Sequence, residues 1–135
     1  MNVHIKNRKA SFEYSLLDRF IAGIKLSGTE IKSIRNGKAN LNDSFCAFIS
    51  DELFLRNMHI AEYEIGSYNN HEPKRDRKLL LRKHEIEKLS KKAVLKGFTI
   101  IPTRLFITDR GFAKLEIAIA EGKKLHDKRE TIRER

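Results

Sequence analysis

From Phe12 the chain alternates apolar and polar residues: Phe12, Tyr14 and Leu16 share one side of an extended segment, and Phe20, Ala22, Ile24 and Leu26 repeat the pattern. Leu16 and Leu17 together break the period of two. The spacing predicts two half-buried strand stretches joined by a bend or bulge at Leu17 to Arg19, with Gly23 as a second candidate bend. In "SGTEIKSIRNG", Ser27 and Glu30 stand at capping-box spacing, Ile31 and Ile34 share a face, and Gly37 supplies a stop, so a short helix is expected. The segment "SFCAFISDELFLRNMHI" alternates on both sides of a polar centre and reads as a hairpin turning near Ser50 to Glu52. "EIGSYNNHEPKRDRK" has little periodicity and reads as an exposed, mobile loop.

Ile86, Leu89 and Ala93 recur at helical spacing from about Lys83 to Lys96, with Gly97 as the stop. A second hairpin, "FTIIPTRLFITDRGFAKLEIAIA", turns at Asp109 to Gly111, and Pro102, which cannot donate to a ladder, marks an edge or a bulge. The pattern is mainly β with inserted helices: five to six antiparallel strands, two helices, and no βαβ alternation. A small closed barrel of OB type removes the exposed edges of strands this short, and it is the expected architecture. Residues 1–121 form that barrel in this reading, and 122–135 form a basic C-terminal tail. With only Leu125 and Ile132 to bury, the tail is expected to be disordered when free.

Charge changes the picture next. The chain of 135 residues carries 28 Lys and Arg against 18 Asp and Glu, a formal +10. Met1 to Ala10, His71 to Arg82 and Lys123 to Arg135 each contribute +3, so the excess sits on the segments least suited to a core. Such a distribution favours a polyanionic partner, nucleic acid or an acidic membrane, over a basic surface that serves only solubility. No apolar run reaches the length of a membrane span and "MNVHIKNRKA" lacks a signal-peptide apolar region, so a cytoplasmic protein with no membrane partner is expected.

Candidate chemistry is sparse. Cys46, the only cysteine, lies among Phe45, Ala47 and Phe48 and reads as a buried structural thiol. The five histidines stand at no metal-ligand spacing. His126 and Asp127 are adjacent, about 100° apart on a helix, with no nucleophile placed to use them, so no cofactor, metal or catalytic group is expected. Arg35, Lys38 and Asn40 flank the Gly37 helix stop, where they can meet phosphates or bases. Lys124, Lys128, Arg129 and Arg133 can order the tail on a phosphate-rich surface.

Four pieces in collinear order, "NRKA", "SGTEIKSIRNGKANLNDS", "HEPKRDRKLLL" and "GKKLHDKRETIRER", closely resemble the small protein B family, the tmRNA-binding (ssrA-binding) proteins of bacterial trans-translation. The resemblance implies a non-enzymatic OB-like RNA chaperone that binds the tRNA-like domain of tmRNA and helps bring alanyl-tmRNA to stalled ribosomes. Implied partners are tmRNA, the decoding centre and mRNA channel of the small ribosomal subunit, and elongation factor Tu carrying alanyl-tmRNA, with the protein itself a monomer. By motif match, Asn7 and Leu80 correspond to positions important for tmRNA binding. Lys9, Lys38, Asn40, Arg77 and Lys78 fall within or beside the matched motifs as RNA-facing candidates, as do Lys123 and Lys124. His126, Asp127, Lys128 and Arg129 correspond to the tail's ribosome-acting motif. Three features depart from the family pattern: Ile21 stands where members commonly carry an acid, Thr29 where a Trp is often found, and members continue past "RER" with further basic sequence. A general OB-type RNA-binding or ribosome-associated protein is the alternative.

Overall fold

The two hairpin turns read from the sequence anchor the sheet. A computed structural model of the protein describes residues 4–63 and 70–122. Gly122, expected to open the tail, instead closes the last strand; the rest of the tail, 123–135, and the part of the expected loop at 64–69 lie outside the described residues. Strand β4 (Phe45–Ile49) returns as β5 (Glu52–Arg56) through Ser50 and Asp51, both left-handed at φ 51° and 66°, which matches the right-handed twist of the paired strands. Strand β8 (Phe98–Ile107) returns as β9 (Ala113–Gly122) around Gly111 at φ 89°.

The remaining long strand, β2 (Tyr14–Ile24), pairs along β9 on one side and with β7 (Arg77–Leu80) on the other. The order β8-β4-β5-β7-β2-β9, closed by the β8–β9 pairing, makes a ring of six antiparallel strands, as the pattern predicted. A short β1 (His4–Lys6) adds to the free stretch of the β8 edge beyond β4. Strands β3 (Ala39–Asn40) and β6 (His59–Ile60) form a separate pair.

Inward residues of the ring strands, among them Ala22, Leu53, Leu55, Leu105, Leu115 and Ile117, are fully buried and form one cluster with Ile34 and Leu89 from the two long helices. Those helices are α2 (Gly28–Arg35) and α3 (Lys83–Ala93). Irregularities fall where the sequence placed them: the β2 register shifts between Leu16 and Arg19, and the β8 register between Pro102 and Arg104. Gly23 is not a bend. It pairs in register with Leu80, and a Cβ there would stand 3.3 Å from that of Leu80, so glycine allows two strands to approach.

Two elements and one side chain differ from expectation. Helix α1 (Arg8–Glu13) replaces the predicted start of a strand at Phe12, and its one buried residue, Ala10, packs on Ile101 and Ala120 outside the ring. Strand β7 occupies what read as the end of a loop. Arg77, expected on an RNA-facing surface, is fully buried at 0% exposure.

The reason is a partner distant in sequence. Ser27 caps α2 and the Glu30 side chain returns a bond to the Ser27 N–H at 2.8 Å, the capping box read from the sequence. The same carboxylate, itself fully buried, accepts from Arg77 Nε at 2.6 Å and from Arg75 Nη2 at 2.6 Å and Nε at 3.0 Å. Arg77 spends its other donors on the carbonyls of Met58 at 2.7 Å and Pro73 at 3.0 Å. Burial alone would raise the Glu30 carboxyl; hydrogen bonds from Arg75, the Ser27 amide and Arg77 more than offset it and hold the group below the ordinary carboxylate value.

Replacing Arg77 with Met is expected to lower the unfolding free energy by about 3 to 5 kcal/mol, read by urea denaturation, because a buried carboxylate loses its best-placed cation. Acid acts on the other partner. A carboxyl held below its ordinary value contributes stability that is full at neutral pH and lost as pH falls below about 4 through the folded value. The wild-type Tm should therefore drop on acidification more steeply than that of Glu30→Gln. Equal slopes would show that Glu30 does not carry this dependence.

Candidate nucleic-acid interface

Strand alternation that sends Leu105, Leu115 and Ala22 inward sends their neighbours out, and cross-strand register lines these up. Leu80 opposes Gly23, Gly23 opposes Lys114, Lys114 opposes Phe106 and Phe106 opposes His4, so one row crosses β7, β2, β9, β8 and β1. A second row runs through Ile21, Glu116, Arg104 and Lys6. Leu80 and Ile21 are 49% and 47% exposed. Helix α1 borders this outer face by packing farther along β8 and β9.

Glu116 organises the cations on the face. It accepts from Thr103 Oγ1 at 2.5 Å and from Arg19 Nη1 at 3.0 Å, with Arg104 Nε at 3.5 Å. Burial would raise its carboxyl, but the Thr103 and Arg19 hydrogen bonds and the charges of Arg104 and Arg19 hold it below the ordinary value. Glu116 is thus a neutralised acid, and it leaves the face basic. It also stands opposite Ile21, one strand away from the position where the family pattern carries an acid.

Several sequence candidates border this face. Asn7 joins β1 to α1: its side-chain amide donates to the Pro102 carbonyl at 2.8 Å and its backbone N–H to Thr103 O at 2.8 Å, so one of its roles is to seat α1 on β8. Lys9 is exposed on α1. Arg35 is exposed at the end of α2, with its Nη2 close to Gly111, where a Cβ would come within 3.1 Å of it. Lys38 and Asn40 are exposed around β3, which lies against β1, and Gly37 at φ 72° makes the turn that presents them.

Lys78 and Leu80 point outward from β7, and Lys78 is ion-paired with Glu52. Of the three consecutive leucines, Leu79 is buried, Leu81 half-buried and Leu80 outside. Arg77 does not belong to the site, because its donors are consumed in the interior. Lys123, Lys124, His126, Asp127, Lys128 and Arg129 lie outside the described residues.

Thr29 makes a different use of its position. His71 is buried, and its Nε2 must donate to the Ile60 carbonyl at 2.9 Å, so in the neutral ring Nδ1 accepts from the Thr29 hydroxyl at 2.9 Å. Cys46 is buried, which pushes its thiol up and leaves it unreactive, as expected. Sequence reasoning missed His4, Arg19, Arg104, Phe106 and Lys114. The alternation in "TRLFI" and "AKLEI" was the available signal, but only the register between strands unites these residues.

An outward sheet face of cations and apolar groups, bordered by a basic helix and a basic turn, suits a structured polyanion. A family model described as SmpB protein matches residues 4–135. The chain belongs to the SmpB family. Its SmpB-family relatives include the SsrA-binding proteins of Christiangramia forsetii, 58% identical over 99% of this chain and 85% of that one, and of Bacteroides thetaiotaomicron, 58% identical over 99% and 89%. The SsrA-binding protein of Thermosipho melanesiensis is 49% identical over 100% of this chain and 92% of its own length. A solved structure reported as "tmRNA-SmpB: a journey to the center of the bacterial ribosome" matches with a TM-score of 0.77 and 46% identity, covering 91% of this chain and 86% of the other.

Leu80→Ala should leave the Tm close to wild type, since the side chain is outside the core, and should weaken binding to structured RNA with no change in salt dependence. Lys38→Gln should instead flatten the slope of log affinity against log salt by about one, the loss of one phosphate contact. Filter binding across a salt series checks both. A destabilised Leu80→Ala that binds normally once folded would return that residue to packing.

Proposed function

We propose that this chain binds the tRNA-like domain of tmRNA and supports its delivery to stalled ribosomes in trans-translation, acting in the cytoplasm as a non-enzymatic, monomeric RNA-binding factor. The observation that carries this reading is its membership of the SmpB family, joined to its 46% identity with the chain of the tmRNA–SmpB structure. The outward face around Leu80, Lys38 and Asn40 supplies surface of the right charge for an RNA partner. In this reading the ring holds tmRNA. The tail after Gly122 acts on the small ribosomal subunit at the decoding centre and mRNA channel, with His126 available to stack on a base and Lys128 and Arg129 to meet phosphates. Elongation factor Tu accompanies alanyl-tmRNA in the same delivery.

Competition binding tests the partner. The protein should prefer the tmRNA tRNA-like domain strongly over an unrelated structured RNA of equal length, and parity would favour a general RNA-binding protein. Changing Asp127, Lys128 and Arg129 to Ala should leave folding and most tmRNA affinity intact, while peptide tagging on stalled ribosomes falls towards background. Equal losses in binding and tagging would place the tail on the tmRNA-gripping surface instead.

A further inference from the structure

Phe106 has no task in the core. Its strand neighbours Leu105 and Ile107 are buried at 0% and 5%, and the alternation that buries them turns the Phe106 ring to the outer face. There it is not isolated. The Arg104 guanidinium carbon lies 4.4 Å from the ring centroid, and His4, its cross-strand partner, sets its ring at 6.0 Å and 18° from parallel. Arg104 is held by Glu116 Oε1 at 3.5 Å and approaches His4 Nδ1 at 3.4 Å. Three planar groups are thus fixed beside one another before any ligand arrives.

We propose that Arg104, Phe106 and His4 form a stacking platform for one unpaired nucleobase of the bound RNA. The inference rests on the RNA-binding reading above and names the chemistry of one subsite within it. A base offers a π-face to an aromatic ring or a guanidinium plane, and the ordering cost of the three side chains has already been met by Glu116 and by strand pairing. Lys114 beside Phe106 and Lys6 beside Arg104 stand in the same cross-strand rows, where they can meet the phosphates that flank the base. The only acid in those rows, Glu116, is already occupied by Arg19 and Arg104, so the approach of a phosphodiester is not opposed.

The test uses the tRNA-like domain of tmRNA transcribed with 4-thiouridine, irradiated in complex with the full chain and digested with trypsin. The expected crosslink falls in the peptide Leu105 to Arg110, which contains Phe106. A second measurement uses variants: Phe106→Leu keeps an apolar residue outside the core and should bind about 5- to 100-fold more weakly, with an unchanged salt slope and Tm, while Phe106→Trp retains affinity. Crosslinks confined to other peptides, or a Phe106→Leu protein that binds like wild type, would overturn the platform. Oligouridylate serves as a second probe. Wild-type protein that shows no preference for tmRNA overturns the proposed function, whereas the response of oligouridylate binding to Phe106→Leu still decides the platform.

Discussion

The buried Glu30 carboxylate is the interaction on which the arrangement of the ring depends. It caps the first turn of α2 and receives two arginines from the segment leading into β7, one of them wholly inside the protein. An unpaired carboxylate at that depth would cost several kcal/mol, so α2 and β7 can be buried only together. Arg77 carries the constraint further by bonding the Met58 carbonyl beyond β5 and the Pro73 carbonyl before β7. One ion cluster thus settles where β7 enters the ring. Because strand side chains alternate, burying Arg77 and Leu79 obliges Lys78 and Leu80 to face out.

The outer face owes its composition to the same alternation on neighbouring strands. A closed ring has one inside, and the inside takes the aliphatic residues; cations on the intervening positions then accumulate outside. Glu116 prevents them from repelling one another, since it accepts from Arg19 and Thr103 and lies against Arg104. A single acid among cations here gives order to the side chains without cancelling the charge of the surface. Asn7 contributes at one remove, because its amide on Pro102 places α1 along the border of the face.

Most of what was legible in the sequence was local. The Ser27–Glu30 box, the two hairpin turns, the irregularity after Leu16 and the bulge at Pro102 each depend on residues within a few positions of one another. What escaped depends on distance along the chain. Arg77 sits in a run of charges that reads as solvated loop, and nothing near it signals that its counter-ion is Glu30. Helix α1 buries only Ala10 and so leaves no periodic trace. Leu80 was reached by motif match, but His4 meets Phe106 and Arg104 only through the pairing of β1 with β8. Charge and motif therefore pointed to cations on the borders of the face, such as Lys9 and Lys38, and passed over Arg19, Arg104, Lys114 and Phe106 on its strands.

The pairing of the first long strand with the last has a consequence for biogenesis. Tyr14 lies opposite Gly122, and β1 joins β8 across most of the chain, whereas β4–β5 and β8–β9 are local hairpins. Local hairpins close quickly, while contacts spanning nearly the whole sequence carry the full entropy of a long loop and come late. A ribosome making this protein therefore releases β2 long before its partner β9 exists. Both edges of that strand stay unpaired until β7 emerges, and one stays open until β9 does, so the nascent chain is exposed to strand-edge association from the release of β2 to the pairing of β9, most of all before β7 is made.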